Sequence, residues 1–288
     1  MRIMKLGDIK TTAVVGAGTM GQGIAQVLAS AGYKAILFDI DSSLIRKALN
    51  QINENLKSAV DKSKLKPTVK GEIQSRIQPV DNLKKVKADL IIEAIVEKLE
   101  LKRDLFSKLE KTNSQDVILA TNTSSLSITE IASSLKNPSR FIGLHFFNPA
   151  NVMKLVEVIG GAKTETELID LMKKFCQQIG KIAVVAKDSP GFIVNRVARH
   201  FYLESLKVLE EKIAGVQTID KLLQASGFKM GPFELMDLIG VDTNLSVTKS
   251  VYDGFYQDSK FRPNRIQQQM VDAGQLGRKT GKGFYDYK

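Results

Sequence analysis

A chain of 288 residues and 31.8 kDa, at about 150 residues per domain, has room for two domains and can bury a core without disulfide staples. Its 42 Lys and Arg against 31 Asp and Glu leave a net charge of +11, which excludes an acidic solvating chain. Trp is absent and aromatics make up 7%, so a nucleic-acid partner, which wants exposed rings among basic residues, is not expected.

Cys176 is the single cysteine, which rules out an intramolecular disulfide framework and a cysteine-cluster zinc site; no metal is expected. No run approaches the ~20 apolar residues of a membrane span, and Met1 to Lys10 is too charged for a secretory signal. These features predict a cytoplasmic protein with no membrane partner. One denser basic run, Lys57, Lys62, Lys64, Lys66 and Lys70, reads on pattern alone as a solvated helix face before it reads as a polyanion site.

In chain order, Thr11 to Val15 is a short β-leaning run that ends in Gly16-Ala17-Gly18-Thr19-Met20-Gly21. A helical pattern through Ile24, Val27 and Leu28 follows, closed at Ala31-Gly32. Ala35 to Phe38 is a second strand, stopped by Asp39. Two polar helices come next, one over Ser42 to Asp61 and one after Pro67. Ala88 to Ile95 and Val117 to Ala120 are continuous apolar runs, as in strands covered on both faces, with helical spacing from Leu99 to Leu109 between them. Ser127 and Glu130 form a capping-box signature opening another helix. Phe141 to Phe147, Lys154 to Ile159 and Ile182 to Ala186 are further strand candidates. After Asp188-Ser189-Pro190-Gly191 only helical periodicity remains. The pattern predicts a Rossmann-type, doubly wound α/β domain over residues 1–188 with a helical insertion at about 42–78, followed by an all-helical domain over 189–288.

The glycine motif sits after a strand and opens a helix, where a dinucleotide site requires it. Gly16 allows the tight turn, Gly18 lets a pyrophosphate approach the backbone, and Gly21 permits close helix–strand packing. Thr19 and Met20 lie in the same turn and count with the glycines as cofactor contacts. The helix N-terminus offers unpaired N–H groups to the phosphates. Asp39, at the end of the next strand, can accept hydrogen bonds from ribose hydroxyls and would repel a 2′-phosphate, and no arginine follows before Arg46. NAD is the expected cofactor, in preference to NADP.

Oxidation of an alcohol needs a base for the hydroxyl proton, and the chain holds two histidines. His200, between Arg199 and Phe201 in a helical stretch, reads as a packing or surface residue. His145 ends the run FIGLHFF, and the carboxyl ends of strands border the ligand crevice of an open sheet. By itself His145 reads better as a satisfied structural histidine. Glu157 changes the balance: alternation in KLVEVIG puts its carboxylate on an apolar strand face, costly unless paired, and an imidazole is a natural partner. Such a pair would leave His145 as base and Glu157 as its orienter. Thr121-Asn122-Thr123-Ser124-Ser125, directly after VILA, and Asn195 in GFIVNR are either crevice residues or turn and cap chemistry.

With those residues in view, the chain resembles the L-3-hydroxyacyl-CoA dehydrogenase family over nearly its whole length, through GAGTMGQGIAQ, IIEAIVE, TNTSSLSITE, GLHFFNPA, VMKLVEVI, DSPGFIVNR, MGPFELMDLIG and GRKTGKGFYDY. The resemblance implies that His145 is the general base and Glu157 its partner. It places Ser124 and Asn195 on the substrate's reacting region and Asn148 beside nicotinamide and substrate. Glu97 and Lys102 fall at the cofactor, with Asn122 and Ser124 also counted there, and Asn55 and Lys62 fall where the helical insertion meets coenzyme A. The implied activity is NAD-dependent interconversion of (S)-3-hydroxybutyryl-CoA and acetoacetyl-CoA, in a homodimer formed through the C-terminal helical domain. A 3-hydroxyacid or sugar-acid dehydrogenase, or a non-catalytic NAD-binding protein, would use the same scaffold. One departure from the family pattern is Asn151, where a second proline is usual.

Overall fold

A computed structural model describes residues 4–287. These fall into two compact units divided between Asp188 and Ser189. The first contains strands β1 (Thr11–Val15), β2 (Lys34–Phe38), β3 (Ile77–Val80), β4 (Leu90–Glu93), β5 (Ile118–Thr121), β6 (Phe141–Phe146), β7 (Leu155–Gly160) and β8 (Ile182–Lys187). Helices α1 (Thr19–Ser30), α2 (Ser42–Asp61), α3 (Pro67–Arg76), α4 (Leu99–Thr112), α5 (Ile128–Ala132) and α6 (Thr166–Gln178) connect them. One sheet runs β3-β2-β1-β4-β5-β6-β7-β8. The chain winds outward from β1 in one direction and from β4 in the other, so a topological switch point lies between them, where open α/β sheets bind ligands.

The central strands read as unbroken apolar runs because both faces are covered: β4 and β5 are buried at every position. On one face α1 presents Ile24, Ala25, Leu28 and Ala29, all fully buried, to a core shared with Leu37, Ile92, Leu144, Val156 and Phe175. Each large apolar side chain sequestered this way contributes about 1.5–3 kcal/mol. The helix α2 buries Ile45, Ala48, Ile52 and Leu56 at three- and four-residue spacing, one stripe of an amphipathic helix. Lys57, Lys62, Lys64 and Lys66 are exposed.

Two features depart from the sequence pattern. The strand β3 was not expected; its residues Ile-Gln-Pro-Val carry no alternation, and Pro79 is tolerated because β3 pairs with β2 alone, at the sheet edge. All neighbouring strands are parallel except β6 and β7. The segment 147–154 between these two is too short for the crossover that a parallel pair needs, so β7 returns antiparallel and brings its first residues to the carboxyl edge of β6. The helix α5 receives the predicted cap, the Ser127 hydroxyl accepting from the Glu130 amide at 3.2 Å. It also receives a second one: the Asp188 carboxylate accepts from the Ile128 and Thr129 amides at 3.0 and 2.7 Å and from the Ser127 hydroxyl at 2.9 Å.

The second unit holds helices α7 (Val194–Glu210), α8 (Val216–Ala225), α9 (Pro232–Ile239), α10 (Val241–Gly254) and α11 (Arg265–Asp272). Tyr202, Leu206, Ile219, Phe233 and Met236 form its core. Asp220 caps α9 through the Phe233 and Glu234 amides and accepts from the Tyr285 hydroxyl at 2.8 Å, while Asp237 accepts from the Phe284 and Tyr285 amides; two carboxylates thus fasten the C-terminal segment. Among the apolar residues of this unit, Phe192 and Leu203 are buried at 4% exposure, whereas Ile193, Val197 and Leu222 are exposed at 42%, 66% and 66%. No helix among the described residues is long and apolar enough to cross a membrane, and no cluster of potential metal ligands occurs among them.

Cys176 lies on the core face of α6 with no exposed surface, and burial pushes its thiol up to about 12, against the nearby Lys181 charge that pulls it down. We expect no reaction with an aromatic disulfide reagent at pH 8 in the native protein and one thiol per chain after unfolding in guanidinium. Native reactivity at the rate of an unperturbed thiol would show that this packing is wrong.

Candidate active site

Because β1, β2, β4, β5 and β6 run in one direction, their carboxyl ends share one edge of the sheet. Every sequence-predicted site residue of the first unit except Asn55 and Lys62 lies at or just beyond that edge.

At the β1 end, Gly16 has a φ of +105°, and a Cβ there would overlap the Ala94 carbonyl; a Cβ on Gly21 would run into the Gly16 carbonyl. No atom lies within 4 Å of the position a Gly18 Cβ would take. The turn therefore needs glycine at two positions for its own packing, and at the third leaves open space. Gly18 is the N-cap of α1 and supplies no side-chain cap, so the first-turn amides, those of Thr19 and Met20 among them, point outward with the partial positive charge of a helix N-terminus. Asp39 accepts from the Ala17 amide at 2.7 Å and from the Asp41 amide at 3.0 Å. Its carboxylate joins the glycine turn to the end of β2 and, half-buried, still has lone pairs for hydroxyl donors. An open cradle, uncapped amides and a carboxylate one strand away fit a dinucleotide lacking a 2′-phosphate.

Between the glycine turn and the β5 end, Lys102 is only 1% exposed. Its ammonium lies 2.6 Å from Glu93 and 3.1 Å from Glu97. Glu93, fully buried at the end of β4, also accepts from the Ile95 amide and the Thr121 hydroxyl at 2.7 and 2.6 Å. Burial pushes the Glu93 carboxyl up, and the Lys102 charge and these hydrogen bonds offset that only in part. In Glu97 burial acts the same way, but Lys102 together with hydrogen bonds from Thr123 and Ser124 prevails, holding it below the ordinary carboxylate range. Glu97 accepts from the Thr123 hydroxyl at 2.5 Å and the Ser124 amide at 2.9 Å. The Lys102 charge thus reaches the crevice through Glu97 and the 121–125 segment. Glu93 carries the same sequence signal as Glu157, an acid inside an apolar strand, but was not singled out there.

His145 on β6 and Glu157 on β7 face each other directly across the antiparallel ladder. Nδ1 of His145 lies 2.8 Å from Oε2 of Glu157, with the residues 6% and 1% exposed. A buried carboxylate bonded to Nδ1 favours the tautomer with its proton there. The Phe147 ring packs 4.4 Å from the imidazole. Asn122 closes the β5 end onto β6 by accepting from the Phe146 amide at 2.8 Å, which leads the chain into Ser124. Asn148 is exposed just after β6.

Two expected residues of the first unit lie elsewhere, and a third belongs to the second unit. Asn55, midway along α2, donates to Gln26 on α1 and accepts from Gln51, both at 3.1 Å. Lys62 is exposed at the end of that helix. Asn195 is in the first turn of α7, in the second unit, and its carbonyl accepts from Arg199 Nε at 3.1 Å. His200 is exposed, its ring 5.3 Å from that of Phe261.

Residues 11–189 match the 3-hydroxyacyl-CoA dehydrogenase NAD binding domain, and residues 191–287 match the C-terminal domain of 3-hydroxyacyl-CoA dehydrogenase. The chain is 45% identical over 283 residues to 3-hydroxyadipyl-CoA dehydrogenase of Escherichia coli (98% of this chain) and spans 60% of that protein's length. It is 43% identical over 277 residues to 3-hydroxybutyryl-CoA dehydrogenase of Clostridioides difficile, covering 96% of this chain and 98% of the relative. The crystal structure of (S)-3-hydroxybutyryl-CoA dehydrogenase from Ralstonia eutropha superposes with a TM-score of 0.93 at 38% identity, over 97% of this chain and 99% of that one. Domain matches that together span nearly the whole sequence, and relatives of this identity at nearly full coverage, lead to one conclusion: the chain belongs to the 3-hydroxyacyl-CoA dehydrogenase family.

Proposed function

We propose that the protein is an NAD-dependent 3-hydroxyacyl-CoA dehydrogenase that interconverts (S)-3-hydroxybutyryl-CoA and acetoacetyl-CoA. The observation that carries this reading is the buried His145–Glu157 pair, 2.8 Å apart, at the carboxyl edge of a sheet whose first turn is a dinucleotide cradle. NAD, when bound, accepts the hydride released from C3 of the hydroxyacyl group. His145 takes the C3 hydroxyl proton as the carbonyl forms and returns it in the reverse direction. Glu157 keeps the imidazole oriented and stabilises its protonated form. Ser124 and Asn195 hold the substrate oxygen.

Gly16, Gly18, Thr19, Met20 and Gly21 hold the pyrophosphate, and Asp39 takes the ribose hydroxyls. Asn122, Ser124, Asn148, Glu97 and, through Glu97, Lys102 shape the nicotinamide end. Asn55 and Lys62 contact coenzyme A. In this reading residues 1–188 bind the cofactor, with the helical insertion at about 42–78 serving coenzyme A, and residues 189–288 form a homodimer interface. A cytoplasmic location suits a substrate made and used as a coenzyme A thioester. The names of the relatives, one a 3-hydroxyadipyl-CoA and one a 3-hydroxybutyryl-CoA dehydrogenase, support the acyl-CoA class, and the second supports the short chain.

NADH oxidation with acetoacetyl-CoA, compared with free acetoacetate, tests the whole assignment: turnover is expected with the thioester, and equal turnover with the free acid would defeat it. The His145→Gln substitution is expected to lower kcat by roughly 10²–10⁴ with little change in NADH affinity. Glu157→Gln should lower kcat as well, and near wild-type kcat in both variants would remove the base and orienter roles.

Because the Asp39 carboxylate would repel a 2′-phosphate, NAD should exceed NADP in kcat/KM by at least tenfold, about 1.4 kcal/mol at the transition state. Equal efficiencies in steady-state assays would exclude that role.

Exposed Ile193, Val197 and Leu222 on the second unit suit a two-fold contact. Sedimentation at micromolar concentration should therefore give twice the 31.8 kDa chain mass, and a monomer would contradict the interface.

A further inference from the structure

The segment 147–154 joins the strand of His145 to the strand of Glu157, and it belongs to no helix or strand. Part of its backbone turns on itself: the Val152 and Met153 amides both donate to the Pro149 carbonyl at 2.9 Å. Ala150 is 1% exposed and packs on α1, where a Cβ on Gly23 would lie 3.0 Å from that of Ala150. This inward packing turns the Ala150 and Met153 carbonyls toward the protein, and buried carbonyls require donors. Both find the same one. The Lys181 ammonium donates to the Ala150 carbonyl at 2.5 Å and to the Met153 carbonyl at 2.7 Å.

Lys181 is 8% exposed, and no carboxylate among the described residues forms an ion pair with it. It stands at the turn between α6 and β8, where Gly180 has a φ of +77° and the Lys181 amide donates to the Cys176 carbonyl at 2.8 Å. A buried cation without a counter-ion is costly, and the cost is visible in the lowered pKa that burial imposes on Lys181. Two charge-assisted hydrogen bonds from one atom compensate, and they are stronger than neutral ones. A methylene chain ending in an apolar group could fill the space but could serve neither carbonyl.

We infer that Lys181 is a positioning residue for the reaction: its ammonium clamps the 147–154 segment from inside and so fixes the ends of the strands that bring His145 and Glu157 together. The inference rests on the His145–Glu157 reading, with which it shares an assay but not a variant. Lys181→Met keeps the apolar stem and removes the donors. At a temperature where circular dichroism shows the variant folded, kcat with acetoacetyl-CoA should fall roughly 10- to 100-fold, as expected for a displaced catalytic group, and by more than KM changes. The primary isotope effect with 4-deuterated NADH should rise toward its intrinsic value, because chemistry becomes the slow step; a residue that only stabilised the fold would leave it unmoved.

Wild-type kcat and an unchanged isotope effect in the folded variant would overturn the inference. If Lys181→Met does not fold, hydrogen exchange on the unmodified protein decides: the Val152 and Met153 amides, bonded to the Pro149 carbonyl, should be protected like those of the flanking strands, and exchange as fast as in exposed loops would overturn the clamp. Wild-type activity in His145→Gln would defeat the base assignment whatever Lys181→Met does, whereas an inactive His145→Gln beside a fully active Lys181→Met would defeat the clamp alone.

Discussion

A carboxylate with 1% of its surface exposed, Glu157, is tolerable in a sheet only if something across the ladder can answer its charge. The imidazole of His145 is that partner, and the requirement that the two meet shapes much of the first unit. Strand β7 must run against β6, in an otherwise parallel sheet, for positions 145 and 157 to fall opposite each other. The connection between them must be short, and its inward carbonyls must be satisfied without further secondary structure. The β5 end must be held close, which the Asn122 carboxamide does by taking the Phe146 amide.

The same device recurs at other strand ends. Asp39 gathers the Ala17 amide, Glu93 the Ile95 amide and the Thr121 hydroxyl, Glu97 the Thr123 hydroxyl and Ser124 amide, and Asp188 the first amides of α5. Each acid stands at or near a strand end and fastens a neighbouring turn. A loop fixed by a carboxylate keeps its backbone donors pointed the same way whether or not a ligand is present, which is the preorganisation that makes binding and catalysis inexpensive in entropy.

Much of this was legible from sequence, for identifiable reasons. Helix α2 spans Ser42–Asp61, the range its periodicity predicts, because twenty residues of three- and four-spaced apolar positions leave little ambiguity. The glycine turn and Asp39 were legible because sterics restrict what such turns accept. Glu157 declared itself as an acid among apolar neighbours. Strand β3 was hidden, since four residues with a proline carry no pattern. The roles of Asp188 and Lys181 were hidden for a different reason: each acts on backbone groups about thirty to sixty positions away, and a carbonyl or amide leaves no mark in a sequence.

The distribution of charge with depth has its own consequence. A protein of net charge +11 carries Lys57, Lys62, Lys64 and Lys66 on the outside of its helical insertion, while Glu93 and Glu157 lie fully or almost fully buried near the sheet's carboxyl edge. From a distance an approaching polyanion meets an attractive potential, which raises encounter rates at low ionic strength and weakens as salt screens it. Beside His145 the nearest carboxylate is buried Glu157, 2.8 Å from its ring, and its field favours positive charge on that ring. The outer lysine face and the surroundings of His145 therefore present fields of opposite sign within one unit, and ionic strength acts chiefly on the first.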